Sequence, residues 1–237
     1  MVVRRGVALV LAGACATACL SVAGCSSGSS DPLASMSAKQ VLDKAVADLK
    51  AAPSFTMAGT VSQTGGAYTV SLGYLKAHGC KGTIAQPGKG SIAMILIGDK
   101  AWVKPDDAFL KSVAGSQAPA VIGQIGGKYL SGSTANSNVA SLTALCDVNS
   151  MTSQFFLQPT NVVKGKVTTV NGQQALRLGD TSRGGTLYVT DTATPQVLQV
   201  VNTKAGSSGK ITFKVGAPVT LTAPPASQTV DGSQYGF

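Results

Sequence analysis

A chain of 237 residues can bury a core of its own, and 44% hydrophobic against 12% charged residues excludes a disordered polyelectrolyte. The formal charge is +9, but no run of Lys or Arg exceeds two residues. That excludes the basic cluster interleaved with aromatics that nucleic acid requires, so no nucleic-acid partner is expected.

The first element is a processing segment. Arg4 and Arg5 precede an apolar stretch from Gly6 to about Gly24, built mainly of Ala, Val, Leu and Gly. It stops at Val22-Ala23-Gly24-Cys25, and Ser-Ser-Gly-Ser-Ser-Asp-Pro follows. A basic start, an apolar middle and small residues before a cysteine are the pattern that a lipoprotein signal peptidase reads. Val22 stands where the usual lipobox has Leu. The alternative is an uncleaved membrane anchor, for which the stretch is almost long enough, but the Ser/Gly tether argues against it. Residues 1–24 are therefore expected to be a lipoprotein signal peptide. Cys25 is the expected acylated first residue, bearing palmitate or a similar chain, and residues 25–36 are the tether. The localisation implied is exported, lipid-anchored, on the outer face of the cell membrane. The Gly-Val-Ala after Arg4-Arg5 does not continue a twin-arginine motif.

Removal of residues 1–24 leaves 213 residues with a formal charge of +7. Cys15 and Cys19 leave with the signal and Cys25 is acylated. Cys80 and Cys146 remain, an even pair in an oxidising compartment, and are read as a disulfide. Two free buried thiols are the alternative.

Ser37 with Gln40 forms a capping box for a helix carrying Val41, Leu42, Ala45, Val46 and Leu49 on one stripe, and Pro53 ends it. The period then becomes two. Phe55, Met57 and Val61 alternate with small residues, Gly65-Gly66 turns, and Tyr68, Val70, Leu72 and Tyr74 alternate again. Cys80 to Gln86 is a short strand. Ile92 to Ile97, including Met94 and Leu96, is apolar on both faces and reads as covered on both sides. Gly98-Asp99 turns into a strand at Ala101–Lys104, which holds Trp102. Asp106 or Asp107 caps a helix with Phe109, Leu110 and Val113. Pro119 to Ile125 is a short apolar segment. Asn138 caps a helix with Val139, Leu142, Leu145 and Cys146 on one side, and Ser150 starts a turn ending at Phe155-Phe156. Strands return at Val162–Val170, Gln174–Leu178, Thr186–Thr190, Gln196–Thr203 and Lys210–Val215, the first two joined by Asn171-Gly172. The domain is drawn at 37–220 and a Pro/Gly/Ser-containing tail at 221–237. The fold class is α+β: one long antiparallel sheet with an N-terminal helix and a helical insertion.

Catalytic groupings are missing from the pattern. His78, the one histidine, sits beside Gly79-Cys80 with no nucleophile or orienting partner in any motif, and reads as a loop residue. Gly24-Cys25-Ser26-Ser27-Gly28 matches a nucleophile elbow in letters alone, since it lies in the lipobox rather than on a strand-to-helix turn. Asp106-Asp107 is better explained by capping. No His/Cys/Asp set has metal-ligand spacing, and Gly123–Lys128 lacks phosphate-loop spacing. No catalytic residue, metal or cofactor is expected, and the chain is not read as an enzyme. The apolar residues Phe55, Met57, Tyr68, Val70, Leu72, Ile92, Met94, Leu96 and Trp102, with Leu142 and Phe155 from the insertion, are candidates to line a cavity between sheet and helices. An ordinary packed core is the alternative.

The order of these segments resembles a known family. Lipobox, tether and capped helix are followed by Ser54-Phe55-Thr56-Met57-Ala58-Gly59-Thr60 and Gly98-Asp99-Lys100-Ala101-Trp102-Val103-Lys104. After the helices come Val170-Asn171-Gly172-Gln173-Gln174-Ala175-Leu176-Arg177-Leu178 and Gly185-Thr186-Leu187-Tyr188-Val189-Thr190-Asp191. Over most of residues 37–220 this is similar to the actinobacterial LppX/LprAFG lipoproteins, whose fold is similar to the LolA and LolB carriers. The resemblance implies a strongly curved antiparallel half-barrel with helices on its concave side. It also implies a lipid or glycolipid ligand in an apolar cavity, a carrier role without catalysis, and an envelope transport partner. The alternative function is an envelope protein-interaction module with a filled core. The Cys80/Cys146 pair is not matched in the best-known members. If bridged, it would staple the insertion to the sheet edge at Cys80 and limit how far a cavity opens.

Overall fold

Period-two stretches can bury one face only by pairing side by side and covering that face. The protein does this with a single sheet. The structure is a computed structural model and describes residues 32–156, 161–180, 184–204 and 206–237, the side chains of 154, 155 and 204 excepted. Cys25, the signal segment and most of the tether lie outside the described residues.

Helix α1 (Ala38–Ala51) leads into β1 (Ser54–Gln63), β2 (Gly66–Leu75), β3 (Gly79–Gln86), β4 (Gly90–Ile97) and β5 (Lys100–Pro105). The insertion follows: α2 (Asp107–Ala114), α3 (Ala118–Ile125), β6 (Tyr129–Ser133), α4 (Ser137–Thr143), a 3-10 turn at Ala144–Cys146 and α5 (Val148–Phe155). The second strand region is β7 (Val162–Val170), β8 (Gln173–Asp180), β9 (Gly185–Thr190), β10 (Val197–Lys204) and β11 (Ser207–Val215), and β12 (Thr229–Asp231) ends the set. The twelve strands form one sheet in the order β12-β6-β5-β4-β3-β2-β1-β11-β10-β9-β8-β7. All neighbours are antiparallel except β12 with β6. The sheet curves and does not close into a barrel.

Register fixes the faces. Phe55 pairs with Tyr74 and Val215, Met57 with Leu72 and Phe213, and Gly82 with Leu72 and Met94. These residues share the concave inner face, and their buried members belong to one core with Val41, Leu42, Ala45 and Leu49 of α1 and with Cys146 and Met151 of the insertion. The capping box at Ser37 forms as expected: Gln40 N donates to Ser37 Oγ at 3.2 Å and Ser37 N donates to Gln40 Oε1 at 2.7 Å. Lys39–Asp43 and Lys44–Asp48 are ion pairs spaced one turn along α1, the first exposed and the second half-buried.

Several local expectations shift. Asp106 caps α2, its Oδ1 accepting from Phe109 N at 2.7 Å while Oδ2 accepts from Ser91 N and Oγ at 2.9 and 2.7 Å. Val113, read as part of that helix's apolar stripe, is 62% exposed. The short apolar segment at Pro119–Ile125 is a helix over 118–125, begun with Pro119 in the first turn and ended by Gly126 in the left-handed region at φ 58°. α4 is capped by Asn136 rather than Asn138, and α5 by Asp147 rather than Ser150, because the side chains at 136 and 147 accept the N–H groups of 138 and 150. On β4 only Met94 is buried, while Ile92, Ile95, Leu96 and Ile97 are half-buried, so the strand is covered on both sides only in part.

The domain does not stop at residue 220. Residues 216–228 cross the outer face. Ser54 Oγ donates to the Ala217 carbonyl at 2.7 Å, and a Cβ at Gly73 would lie 3.2 Å from Val219 Cγ2. The chain then adds β12 beside β6, and the final residues tuck back, with Asn138 Nδ2 donating to the Gly236 carbonyl at 2.9 Å.

Candidate functional site

The inner face changes from filled to open along the strands. Phe55 stacks on Tyr74 with ring centroids 4.3 Å apart, and Phe213 lies 6.4 Å from Phe55. Met57, Leu72 and Met94 are buried in the next row. Beyond that row the face bears Gly59, Val61, Val70, Ile84, Gly209 and Ile211. A Cβ at Gly59 would stand 1.9 Å from the Lys210 carbonyl oxygen, so only glycine permits β1 and β11 to approach as they do. The side chain that alternation would place there is absent, and the floor stays low.

A cleft of about 350 Å³ occupies this end. Val70 and Ile211 are its buried floor, Val61, Tyr68, Ile84, Leu145 and Val200 its half-buried walls, and Gln63, Asn202, Ser207 and Ser208 its polar margin. Apolar walls with a few polar groups at the mouth are the usual lining of a small-molecule site. Leu145, on the turn after α4, supplies the inner wall.

That turn is fastened to the sheet twice. Tyr74 Oη donates to the Leu145 carbonyl at 2.7 Å. Cys146 is disulfide-bonded to Cys80, with Cα atoms 5.3 Å apart. Tyr74 and Cys80 are register partners. Burial pushes the Tyr74 hydroxyl well above the usual tyrosine range, so it stays a donor. Cys80 lies on β3, with four strands outside it on one side and seven on the other. The bridge thus fastens the insertion to the sheet interior, not to the sheet edge as the sequence suggested, because β4 and β5 pair outside β3 and β6 and β12 extend the sheet further still.

Of the candidate cavity residues, the geometry brings Tyr68 and Val70 to the cleft wall. Phe55, Met57, Leu72 and Met94 are buried in the core beneath the insertion, and Ile92 and Leu96 pack against it. Trp102 is on the opposite face: Val103 pairs with inner Met94, so its neighbour Trp102 points outward, 7% exposed, with the Lys100 ammonium 5.6 Å from its ring centroid. The error has a simple source, a parity slip across the Gly98-Asp99 turn. Leu142 is half-buried on α4 and outside the cleft wall, and the side chain of Phe155 lies outside the described residues. Val61, Ile84, Leu145, Val200 and Ile211 were missed. The glycines at 59 and 209, which interrupt otherwise apolar inner positions, were the available signal.

A second cleft, of about 330 Å³, opens at the other end among Lys50, Lys76, His78, Tyr74, Cys146 and Asp147. Lys76 Nζ there donates to the Ala51 carbonyl at 3.1 Å, at the end of α1. His78 sits in the exposed β2–β3 turn. Among the described residues no three His, Cys, Asp or Glu side chains are grouped to hold a metal ion, and no helix is long and apolar enough to cross a membrane.

A mostly antiparallel open sheet with a stapled helical insertion on its concave side can be compared with known structures. LprF from Mycobacterium bovis superposes with a TM-score of 0.52 at 15% identity, covering 80% of this chain and 97% of that one. The chain has the LprF fold. The Mycobacterium tuberculosis lipoprotein LppX aligns over 77% of this chain and 96% of its own, with 11% identity and a TM-score of 0.46. A LolA superfamily protein from Nitrosomonas europaea aligns over 81% and 96%, with 12% identity and a TM-score of 0.25. No family model and no curated protein matches the sequence.

Proposed function

We propose that this protein is an envelope lipoprotein, acylated at Cys25 and held at the outer face of the cell membrane, that carries a lipid or glycolipid by burying acyl chain in the inner-face cleft. The observation that carries the reading is the cleft itself. Its floor of Val70 and Ile211 lies under the wall of Leu145, and its polar margin leaves a place for a headgroup outside. The driving force is transfer of methylenes out of water, about 0.8 kcal/mol each, and no covalent chemistry is required. The LprF fold and the lipobox Val22-Ala23-Gly24-Cys25 agree with this reading.

Native mass spectrometry of protein made in its own host tests it, together with titration of a fluorescent fatty acid into wild type and Val70→Trp. Co-purified lipid, and binding weakened at least tenfold by the tryptophan, are expected. No lipid and no fatty-acid binding would instead support the second reading, an envelope protein-interaction module with a filled core. The packed rows of Phe55, Met57, Leu72 and Met94 are the observation in its favour.

A further inference from the structure

The two clefts lie on either side of one short turn. Leu145 walls the apolar cleft, and Cys146, the next residue, walls the second. Between them stand two buried register rows, Met57–Leu72–Met94 and Phe55–Tyr74–Cys80. Both fastenings of the turn fall on the second row. Two thioethers lie directly beneath them: Met57 Sδ is 3.4 Å from the Tyr74 hydroxyl, and Met94 Sδ is 4.0 Å from Cys146 Sγ. Methionine is the core side chain that repacks most readily. A rigid lid segment therefore sits on the most adaptable part of the core.

We infer that this double fastening sets the length of acyl chain that the protein accepts. The ligand is a single acyl chain whose methyl end stops against Leu145, with its headgroup at the Gln63 and Ser208 margin. The inference rests on the lipid-binding reading above and deepens it. A cleft of about 350 Å³ is near the lower end of small-molecule sites, which suits one chain rather than the several of a multiply acylated lipid. Affinity rises about fourfold for each added methylene until the tail meets Leu145, then levels. With the Cys80–Cys146 bridge open, the turn lifts, Met57 and Met94 repack, and the cleft lengthens toward the second one.

The test is a binding series with saturated fatty acids of increasing length, using the full chain. Four forms are compared: oxidised wild type, the same protein reduced, and oxidised Leu145→Ala and Leu145→Trp. The levelling point moves to longer chains on reduction and in Leu145→Ala, and to shorter chains in Leu145→Trp. The two Leu145 variants keep the bridge, so the outcome does not depend on the stability of reduced protein. Binding that levels at the same length in all four forms overturns the length limit while leaving lipid binding intact. Absence of binding at every length in every form overturns both.

Discussion

Along β1 the inner face changes character within a few residues. Phe55 and Met57 are buried under the insertion, against Tyr74, Leu72 and Phe213. Past Gly59, Val61 on the same face of the same strand borders a cleft. The backbone pairing is equally regular in both regions, with β1 held between β2 and β11 throughout. What differs is side-chain size on the sheet and the fastening of what lies above it. Large residues meet a turn tied by a disulfide and a tyrosine, whereas glycine and valine leave volume beside its free margin. A cavity here is made by omission as much as by enclosure.

The largest test of that contrast is the bridge. Cys80→Ala with Cys146→Ala should lower stability by about 4 kcal/mol in the chain-entropy view, since the bridged residues are 66 apart. Urea unfolding of the double variant against oxidised wild type measures it, and a loss below about 1 kcal/mol would mean that the filled region does not depend on the tie. Next is truncation in each region. Met57→Ala should cost about 2–5 kcal/mol because it leaves a closed cavity, and Ile84→Ala, already half-buried at the cleft, should cost less than about 2 kcal/mol. Equal losses in the same unfolding assay would erase the distinction between packed and open ends.

Tyr74→Phe keeps the ring stack and removes one hydrogen bond, so about 1 kcal/mol should be lost near neutral pH. The raised pKa gives this a sign. Folding favours the neutral phenol, so its contribution is whole below the unfolded value of about 10 and falls as pH rises through the raised folded value. The alkaline decline in stability should therefore be shallower in Tyr74→Phe than in wild type. The smallest expected effect lies outside both regions. Burial acts to raise the Asp106 carboxyl, but hydrogen bonds from Ser91 and from the backbone of Phe109, Ser91 and Ala108 outweigh it and hold the group below the usual range. Its contribution is complete above the unfolded carboxylate value of about 4 and fades as pH falls through the lowered folded value. Asp106 is exposed, so water screens these interactions; Asp106→Ala should cost about 0.5 kcal/mol at neutral pH and less at low pH, and pH-dependent thermal melts would read the difference.

Much of this architecture was legible because its signals are local. Ser37 and Gln40 announce α1, Asn171-Gly172 announces the β7–β8 hairpin, and the alternation from Phe55 to Tyr74 announces β1 and β2. The even pair Cys80 and Cys146 needed only counting. What stayed hidden depends on pairing across the chain. β6 is five residues, Tyr-Leu-Ser-Gly-Ser, with little propensity of its own, and is a strand because β5 and β12 flank it. Trp102 looked inward until register with Ile95 and Ser131 put it outward. The cleft was half-seen: Tyr68 and Val70 were picked from their strand, but Ile211 and Val200 reach it through β11, more than a hundred residues away in sequence.

The crossing of the outer face by residues 216–228 bears on aggregation and on the timing of folding. Without β12, β6 would present an open row of hydrogen-bonding groups, the kind of edge that recruits strands from other molecules. The residues that cover it, 229–231, are made about a hundred positions after the strand they protect. Until they arrive the edge is unguarded, and the segment that brings them carries Pro218, Pro224 and Pro225, which have no N–H to offer a stray strand. β12 is thus a closing seal, delivered by a stretch of chain that is poor at templating the wrong sheet.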